Sequence, residues 1–243
     1  MDYAIPSRSL NLPLAKEGHT KPPSRRDPYD GLRPWSAITH GLGAALALVG
    51  TVVLLIHAAR LGRGVWHLVS FSVYGASMVG LYTASTLYHS VNTHVRGRIR
   101  LRKYDHVSIY LLIAGTYTPV CLIALRGFWG WSLFGVIWAL TAAGTALTLY
   151  RVDCPRWLTA GIYIAMGWLA LIAILPIGRA LGGAGLFWLL LGGVLYTVGG
   201  VSYALKWPGR NFPRFGCHEI FHLFILLGSA AHWLMMYQVV VHV

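Results

Sequence analysis

The sequence has few charged residues, and acidic residues are the scarcest. Only 11% of its 243 residues are Asp, Glu, Lys or Arg, and seven of them are acidic, whereas soluble domains carry about 25% charged residues. Because 56% of the chain is hydrophobic, a water-soluble fold of this length would lack the polar surface to cover itself. This composition argues against a soluble domain and predicts a membrane protein.

Cysteine is scarce too, and a secretory leader is not evident. The chain has three scattered cysteines, Cys121, Cys154 and Cys217, which are too few for a disulfide framework. Residues 1–36 are polar, proline-rich and basic, with no short apolar core followed by a cleavage site. We interpret residues 1–36 as a disordered cytoplasmic tail and residues 37–243 as the transmembrane domain.

Seven apolar runs follow this tail. They cover roughly residues 37–58, 65–89, 106–125, 128–149, 158–178, 184–205 and 217–241. Each is close to or above the roughly 20 residues that a helix needs to cross the hydrocarbon core. Since helices satisfy their own backbone groups in lipid, the sequence predicts an all-α membrane protein, a bundle of seven transmembrane helices.

The basic residues indicate the orientation of this bundle. The formal net charge is +13, which on a soluble protein would indicate a nucleic-acid partner. Here sixteen of the twenty Lys and Arg residues lie on one side of the predicted bundle, in the tail or in the segments that follow the second, fourth and sixth runs. The other four lie in the segments that follow the first, third and fifth runs: Arg60, Arg63, Arg126 and Arg179. The positive-inside rule therefore predicts a cytoplasmic amino terminus and an outside carboxyl terminus, with the basic residues near anionic lipids and no nucleic acid bound.

Metal-binding side chains meet at the inner leaflet in this topology. Ser85 and His89 end the second run, Asp105 precedes the third, and His218 and His222 open the seventh. Residues four apart share a helix face, so His218 and His222 can hold one ion together. Three histidines leave the fourth position of tetrahedral Zn²⁺ open, as in catalytic sites. Asp105 could then orient a ligand or act as a base.

Structural alternatives remain open for the same residues. A histidine near a helix end can simply reach the headgroups, Asp105 could be a helix N-cap, and Ser85 could bond its own helix backbone. Cys217 is a conceivable soft ligand. His232 lies about 15 Å deeper than His222 along the same helix and is expected to be a packed polar residue.

Residues 218–222 also match a zinc-protease pattern. They read H-E-I-F-H, and in H-E-x-x-H proteases the glutamate is the general base. The longer metzincin form needs glycine at the position of Ile225, and here the pattern opens a membrane span. The protease interpretation is therefore the weaker one.

Four ordered motifs, at matching ends of matching spans, resemble the hemolysin III family, which is related to the adiponectin and progestin receptors. They are Ile38-Thr39-His40-Gly41, Ser85-Thr86-Leu87-Tyr88-His89, Tyr104-Asp105-His106 with the segment 109–119, and His218-Glu219-Ile220-Phe221-His222. The resemblance covers about residues 36–241. It implies seven helices with the amino terminus inside and a zinc ion held by His89, His218 and His222, with Ser85 and Asp105 beside it.

Three positions depart from the pattern of these relatives. Arg33 stands where the broader superfamily usually has an acidic residue, and Ser36 replaces a usual asparagine. Glu219 stands where the receptor branch typically has glutamine, which argues against Glu219 as an obligatory base.

The resemblance suggests three functions. The adiponectin-receptor relatives look like lipid amidases acting on ceramide, so the first expectation is a zinc-dependent hydrolase in a bacterial plasma membrane. Its substrate would be a lipid amide or ester reached from the inner leaflet. The alternative is a non-enzymatic regulator or sensor of membrane lipids with a structural zinc. A cytolysin ranks third, because a pore-former needs a secretable soluble form. The sequence specifies neither the substrate nor the oligomeric state.

Overall fold

The computed structural model describes residues 32–151, 153–209 and 215–243, and this part of the chain is helical between short connections. Seven α-helices are numbered along it: α1 Pro34–Arg60, α2 Val65–Ser90, α3 Val95–Pro119, α4 Phe128–Tyr150, α5 Arg156–Gly167, α6 Ile174–Leu205 and α7 Cys217–Gln238. Most of the predicted tail, residues 1–31, lies outside the described residues. α1 begins at a proline, which suits the first helical position because its missing N–H has no partner there anyway.

Five helical stretches in the described part are long and apolar enough to cross a membrane. They are Pro34–Arg60, Val95–Ala124, Phe128–Tyr150, Arg156–Leu205 and Cys217–His242. In the stretch that contains α3, 72% of an apolar 18-residue segment is buried inside the protein, whereas the corresponding share in α1 is 22%. α3 is therefore central and α1 is peripheral. The prediction of an all-α membrane protein is confirmed at this level.

The stretch Arg156–Leu205 folds back on itself. At Gly182, inside the range given for α6, the backbone has φ 64° and ψ −173° and divides α6 into two helices; glycine adopts this conformation readily and other residues avoid it. On the two sides of this break, Trp168 donates its indole N–H to Thr197 Oγ1 at 2.8 Å, and the Ile164 side chain packs on Gly200. The break lies within the predicted separator between the fifth and sixth apolar runs, Gly178 to Gly183.

Two short irregular helical segments interrupt the regular α-helices. α3 ends in a π-helical turn, Val120–Ala124, and α5 continues into a 3₁₀ segment, Trp168–Ala173. The Tyr117 hydroxyl accepts the amide N–H of Ala170 at 2.8 Å, and the carbonyls of Met166 and Gly167 lie 3.1 and 2.7 Å from it as acceptors. Tyr117 thus satisfies backbone groups that the change of helix type releases, which is essential where water is absent.

α2 differs from the other helices in where its polar residues lie. It has 26 residues, enough to cross a bilayer, yet it is not among the five apolar stretches. Six of its polar side chains are instead buried inside the bundle, and its carboxyl-terminal end lies beside the beginnings of α1 and α7.

Candidate metal centre

Three histidines converge where α2 ends and α7 begins. His89 lies in the last turn of α2, and His218 and His222 lie in the first two turns of α7. Their candidate ligand nitrogens all lie within 4.8 Å of one another, and the Nε2 atoms of His89 and His218 are 3.1 Å apart. His89 and His222 are buried, and His218 is partly buried. The structure therefore brings together the three histidines that the topology predicted to share one depth.

The geometry of this cluster fits a metal ion. In a tetrahedral zinc site, with Zn–N bonds of about 2.0–2.1 Å, two imidazole nitrogens lie about 3.3 Å apart, close to the 3.1 Å between His89 and His218. The Nδ1 atoms of His218 and His222 are buried and have no hydrogen-bond partner among the described residues. Three imidazoles suit zinc, and also copper, iron or nickel. The cluster could hold a metal ion, and Cys217 is not part of it.

Arg33 connects the two helices that carry these histidines. Its backbone N–H donates to the His89 carbonyl at 3.1 Å. Its guanidinium Nη1 lies 3.2 Å from Glu219 Oε1, in the first turn of α7. One residue at the start of α1 therefore fixes the end of α2 against the beginning of α7.

Glu219 is fully engaged in this contact. Besides the Arg33 guanidinium, it accepts the Gly216 N–H at 2.9 Å and the Ser36 hydroxyl at 3.2 Å. Only 1% of the residue is exposed. The Gly216 bond belongs to a capping box that satisfies a free N–H at the start of α7. A carboxylate held by three donors is a poor general base, so the zinc-protease interpretation of residues 218–222 has no support here.

Asp105 and Ser85 lie together beside the cluster. Ser85 is buried on α2, one turn before His89 and on the same face. The Asp105 carboxyl on α3 interacts with the Ser85 side chain. α3 begins at Val95, so Asp105 lies inside the helix and the N-cap alternative is wrong. A carboxyl group on α3 therefore reaches the polar face of α2 that carries His89.

A fourth histidine, which was not among the predicted site residues, packs against the cluster. The His40 ring on α1 stacks on His222, with centroids 3.7 Å apart and planes 12° from parallel. Neither ring nitrogen of His40 has a hydrogen-bond partner among the described residues. The signal that could have found His40 is its depth, because it lies two turns into a helix that begins on the cytoplasmic side of the predicted topology. His232 lies outside the cluster, with Nε2 3.2 Å from the Leu189 carbonyl oxygen.

Comparison with known proteins identifies the family. Residues 34–233 match the family described as "Haemolysin-III related". The chain is 43% identical over 196 residues to the "Hemolysin-3 homolog" of Bacillus subtilis, covering 81% of this chain and 88% of that protein. It is 44% identical over 197 residues to "Hemolysin-3" of Bacillus cereus, covering 80% and 85%.

A more distant human protein matches nearly the same length. The chain is 26% identical over 199 residues to the human "Monocyte to macrophage differentiation factor", covering 80% of this chain and 79% of that protein. The resemblance inferred from the motifs is thus confirmed. With its apolar helices, the chain is a multi-pass membrane protein, and it belongs to the haemolysin III-related family.

Proposed function

We propose that this protein is a zinc-dependent hydrolase of a membrane lipid amide or ester, located in the bacterial plasma membrane. The observation that carries the proposal is the convergence of His89, His218 and His222 beside the Asp105 carboxyl and the Ser85 side chain. A metal-binding triad next to a carboxyl group and a hydroxyl is the set of groups that metal-assisted hydrolysis needs.

The proposed topology has seven crossings, with the amino terminus in the cytoplasm and the carboxyl terminus outside. The distribution of Lys and Arg supports this orientation. The fold-back at Gly182 supports counting Arg156–Leu205 twice, since 50 residues of straight helix would be about 75 Å long, more than twice the hydrocarbon thickness. We also count α2 as a crossing. It has 26 residues, and the polar side chains that lower its hydropathy are largely buried inside the bundle and do not face lipid.

Each residue of the proposed site has a distinct role. His89, His218 and His222 would hold the ion. Bound zinc would supply a Lewis acid for a carbonyl group and a water whose pKa falls from 15.7 to about 7. Asp105 would accept the proton released during attack, and Ser85 would keep that carboxyl oriented towards the cluster. Glu219 would hold α7 in place and take no part in proton transfer.

The substrate class follows from the location of the site. The cluster lies at the ends of helices, at the depth of the inner leaflet in the proposed topology. A lipid whose amide or ester bond lies near its headgroup reaches that depth directly from the bilayer, whereas a water-soluble substrate would have to enter between the helix ends. Membrane lipids are therefore the proposed partners.

Two measurements test the proposal. The first is metal content of the detergent-purified protein by elemental mass spectrometry, where we expect about one zinc per chain and its loss in the double variant His218→Ala/His222→Ala. The second is turnover of a panel of lipid amides and esters by Asp105→Asn. Removing a general base typically lowers the rate by about 10²–10⁴-fold, with zinc still bound. Full turnover by Asp105→Asn would refute the proposed mechanism.

One observation favours a second candidate, a lipid regulator or sensor in which the metal is structural. The histidine cluster joins α2 to α7 at the same place as the contact between Arg33 and Glu219, as a structural ion would. In that case His222→Ala would lower the melting temperature, while the lipid panel would show no turnover by the wild type. The relatives named hemolysins prompt one more assay, dye leakage from liposomes, and we expect no leakage at any dose.

A further inference from the structure

The buried face of α2 is polar along almost its whole length. One line of inward residues on this face is spaced three or four positions apart, with the apolar Met78 near its middle. The other six members of the line have polar side chains: His67, Ser70, Tyr74, Tyr82, Ser85 and His89. His89 is 22 positions after His67, which corresponds to a rise of about 33 Å along a helix, and the hydrocarbon core is about 30 Å thick. A polar stripe inside the bundle therefore extends from one membrane face to the other.

Side chains from α6 and α7 join this stripe at mid-depth. The Tyr82 hydroxyl donates to Ser229 Oγ on α7 at 2.6 Å, and the Tyr196 hydroxyl on α6 lies 2.8 Å from the same oxygen. The Tyr196 ring packs against His232, with centroids 5.4 Å apart. Tyr74 lies one helical turn from Met78 on the side away from Tyr82 and is fully buried. We call these side chains the polar column: His67, Ser70, Tyr74, Tyr82, Tyr196, Ser229 and His232.

Several polar atoms in the outer half of the polar column have no protein partner in the described part of the chain. Four of its atoms are enclosed and find no hydrogen-bond partner within residues 32–151, 153–209 and 215–243: His67 Nε2, Ser70 Oγ, Tyr74 Oη and His232 Nδ1. A network that only held helices together would have its polar atoms paired, because unpaired ones are costly in an apolar interior. Enclosed polar groups of this kind are normally completed by internal water molecules.

The inner end of the polar column reaches the histidine cluster. The edge of the Tyr82 ring meets the His40 ring, with centroids 5.1 Å apart, and His40 stacks on His222. The outer end is His67, in the first turn of α2. Buried polar residues thus occur at intervals from the outer side of the bundle to the region of the proposed site.

We propose that the polar column, completed by internal water, is a proton pathway across the membrane. Chains of ionisable and hydroxyl groups inside membrane proteins mark proton relays. Each hydroxyl or imidazole takes a proton from one neighbour and passes its own to the next, so that one proton enters at one end, one leaves at the other, and one positive charge crosses. The membrane potential or a pH gradient drives the transfer. This activity needs neither a lipid substrate nor hydrolysis. It rests on the proposed function only for the topology, which decides which end of the polar column faces the cytoplasm.

Proton flux into vesicles tests the pathway. The full-length protein is reconstituted in liposomes that contain potassium and the pH dye pyranine, and valinomycin then sets an inside-negative potential. We expect the wild type to acidify the vesicles faster than protein-free liposomes do. Tyr82→Phe and Ser229→Ala each remove one hydroxyl from the polar column, and both should return the rate close to that of protein-free vesicles.

A matched control separates the pathway from general damage. Tyr163 is a half-buried tyrosine outside the polar column whose hydroxyl donates to the His106 carbonyl at 3.1 Å, so Tyr163→Phe removes the same group and should keep the wild-type rate. Ser70→Ala removes a hydroxyl that has no protein partner in the described part of the chain, so its melting temperature should not fall although its proton flux should. A purely structural role would not produce that combination.

Two outcomes would overturn the proposal. One is wild-type protein that acidifies vesicles no faster than empty liposomes. The other is a wild-type proton flux in Ser70→Ala together with a wild-type flux in Tyr82→Phe or Ser229→Ala. For the latter two, only a variant that elutes as a monodisperse protein in size-exclusion chromatography is counted. No lipid substrate beyond the vesicle bilayer is added, and zinc is measured in each preparation. Proton flux and lipid hydrolysis are therefore measured independently. Absence of hydrolysis would not contradict the proton pathway, and absence of proton flux would not contradict the proposed hydrolase.

Discussion

Replacing Arg33 with methionine removes the positive partner of a buried carboxylate. Glu219 is 1% exposed, and its side chain lies 3.2 Å from the Arg33 guanidinium, whose side chain is 28% exposed. Breaking a buried ion pair by removing one partner costs about 3–5 kcal/mol, because the remaining charge is left buried. The Ser36 hydroxyl and the Gly216 N–H still bond Glu219 in this variant, so we expect the lower end of that range.

This free energy corresponds to a measurable change in melting temperature. For chains of about this length, 1 kcal/mol shifts the melting temperature by about 2–4 °C, so Arg33→Met should melt about 6–12 °C below the wild type. Tryptophan fluorescence of the detergent-purified protein during heating follows the transition. Neutralising the carboxylate as well, in Arg33→Met/Glu219→Gln, should recover part of the loss, since no unpaired charge then remains buried.

The chain contains a matched control for distance. Arg102 and Asp153 form an ion pair at 3.0 Å, which is shorter, but the Asp153 side chain is 67% exposed. Exposed pairs contribute about 0–1 kcal/mol, so Arg102→Met should change the melting temperature by at most about 4 °C. Equal shifts in Arg33→Met and Arg102→Met would refute the reasoning, because burial would then have no effect on the strength of the pair.

Three further predictions use the same purified protein. Tyr117→Phe leaves the Ala170 amide and two carbonyls without the hydroxyl, and each unpaired buried group costs about 1–3 kcal/mol, so its melting temperature should fall; an unchanged value would show that these backbone groups find other partners. In Gly144→Ala the new Cβ overlaps the Tyr110 ring, and such overpacking costs about 1–3 kcal/mol, measured by thermal unfolding with the open-site variant Gly135→Ala as the control. His40→Phe keeps a ring against His222 whereas His40→Ala does not, so after dialysis against a chelator the first should retain more metal than the second; equal retention would argue against a positioning role for the stack.

The apolar runs predicted much of the fold because the bilayer imposes their length. The runs at residues 37–58 and 128–149 correspond to α1 and α4 within a few residues, and the glycine-rich separator before residue 184 marks the break at Gly182. The π-helical turn Val120–Ala124 and the 3₁₀ segment Trp168–Ala173 were not predicted. The 3₁₀ segment and Gly167 before it form hydrogen bonds with Tyr117 on another helix, a tertiary contact that local sequence does not specify.

The site was predictable in depth and less so in lateral position. Counting Lys and Arg indicates how far along each helix a residue lies, and this was enough to bring His89, His218 and His222 to one level. It does not indicate which helices are neighbours around the bundle. For that reason the stacking of His40 on His222 and the pairing of Arg33 with Glu219 emerged only from the structure, although all four residues were noted in the sequence.

The inward polar face of α2 also has a consequence for biosynthesis. A segment partitions from the translocation machinery into lipid according to its own hydrophobicity, and α2 on its own offers histidines, serines and tyrosines to the lipid. α1, the most apolar stretch with a mean hydropathy of 2.2, precedes it by one short turn and packs along it. We expect the two helices to insert together as a helical hairpin, so that α1 covers part of this polar face as it enters the lipid. Polar substitutions on the lipid-facing side of α1 should therefore impair insertion of α2 as well as of α1.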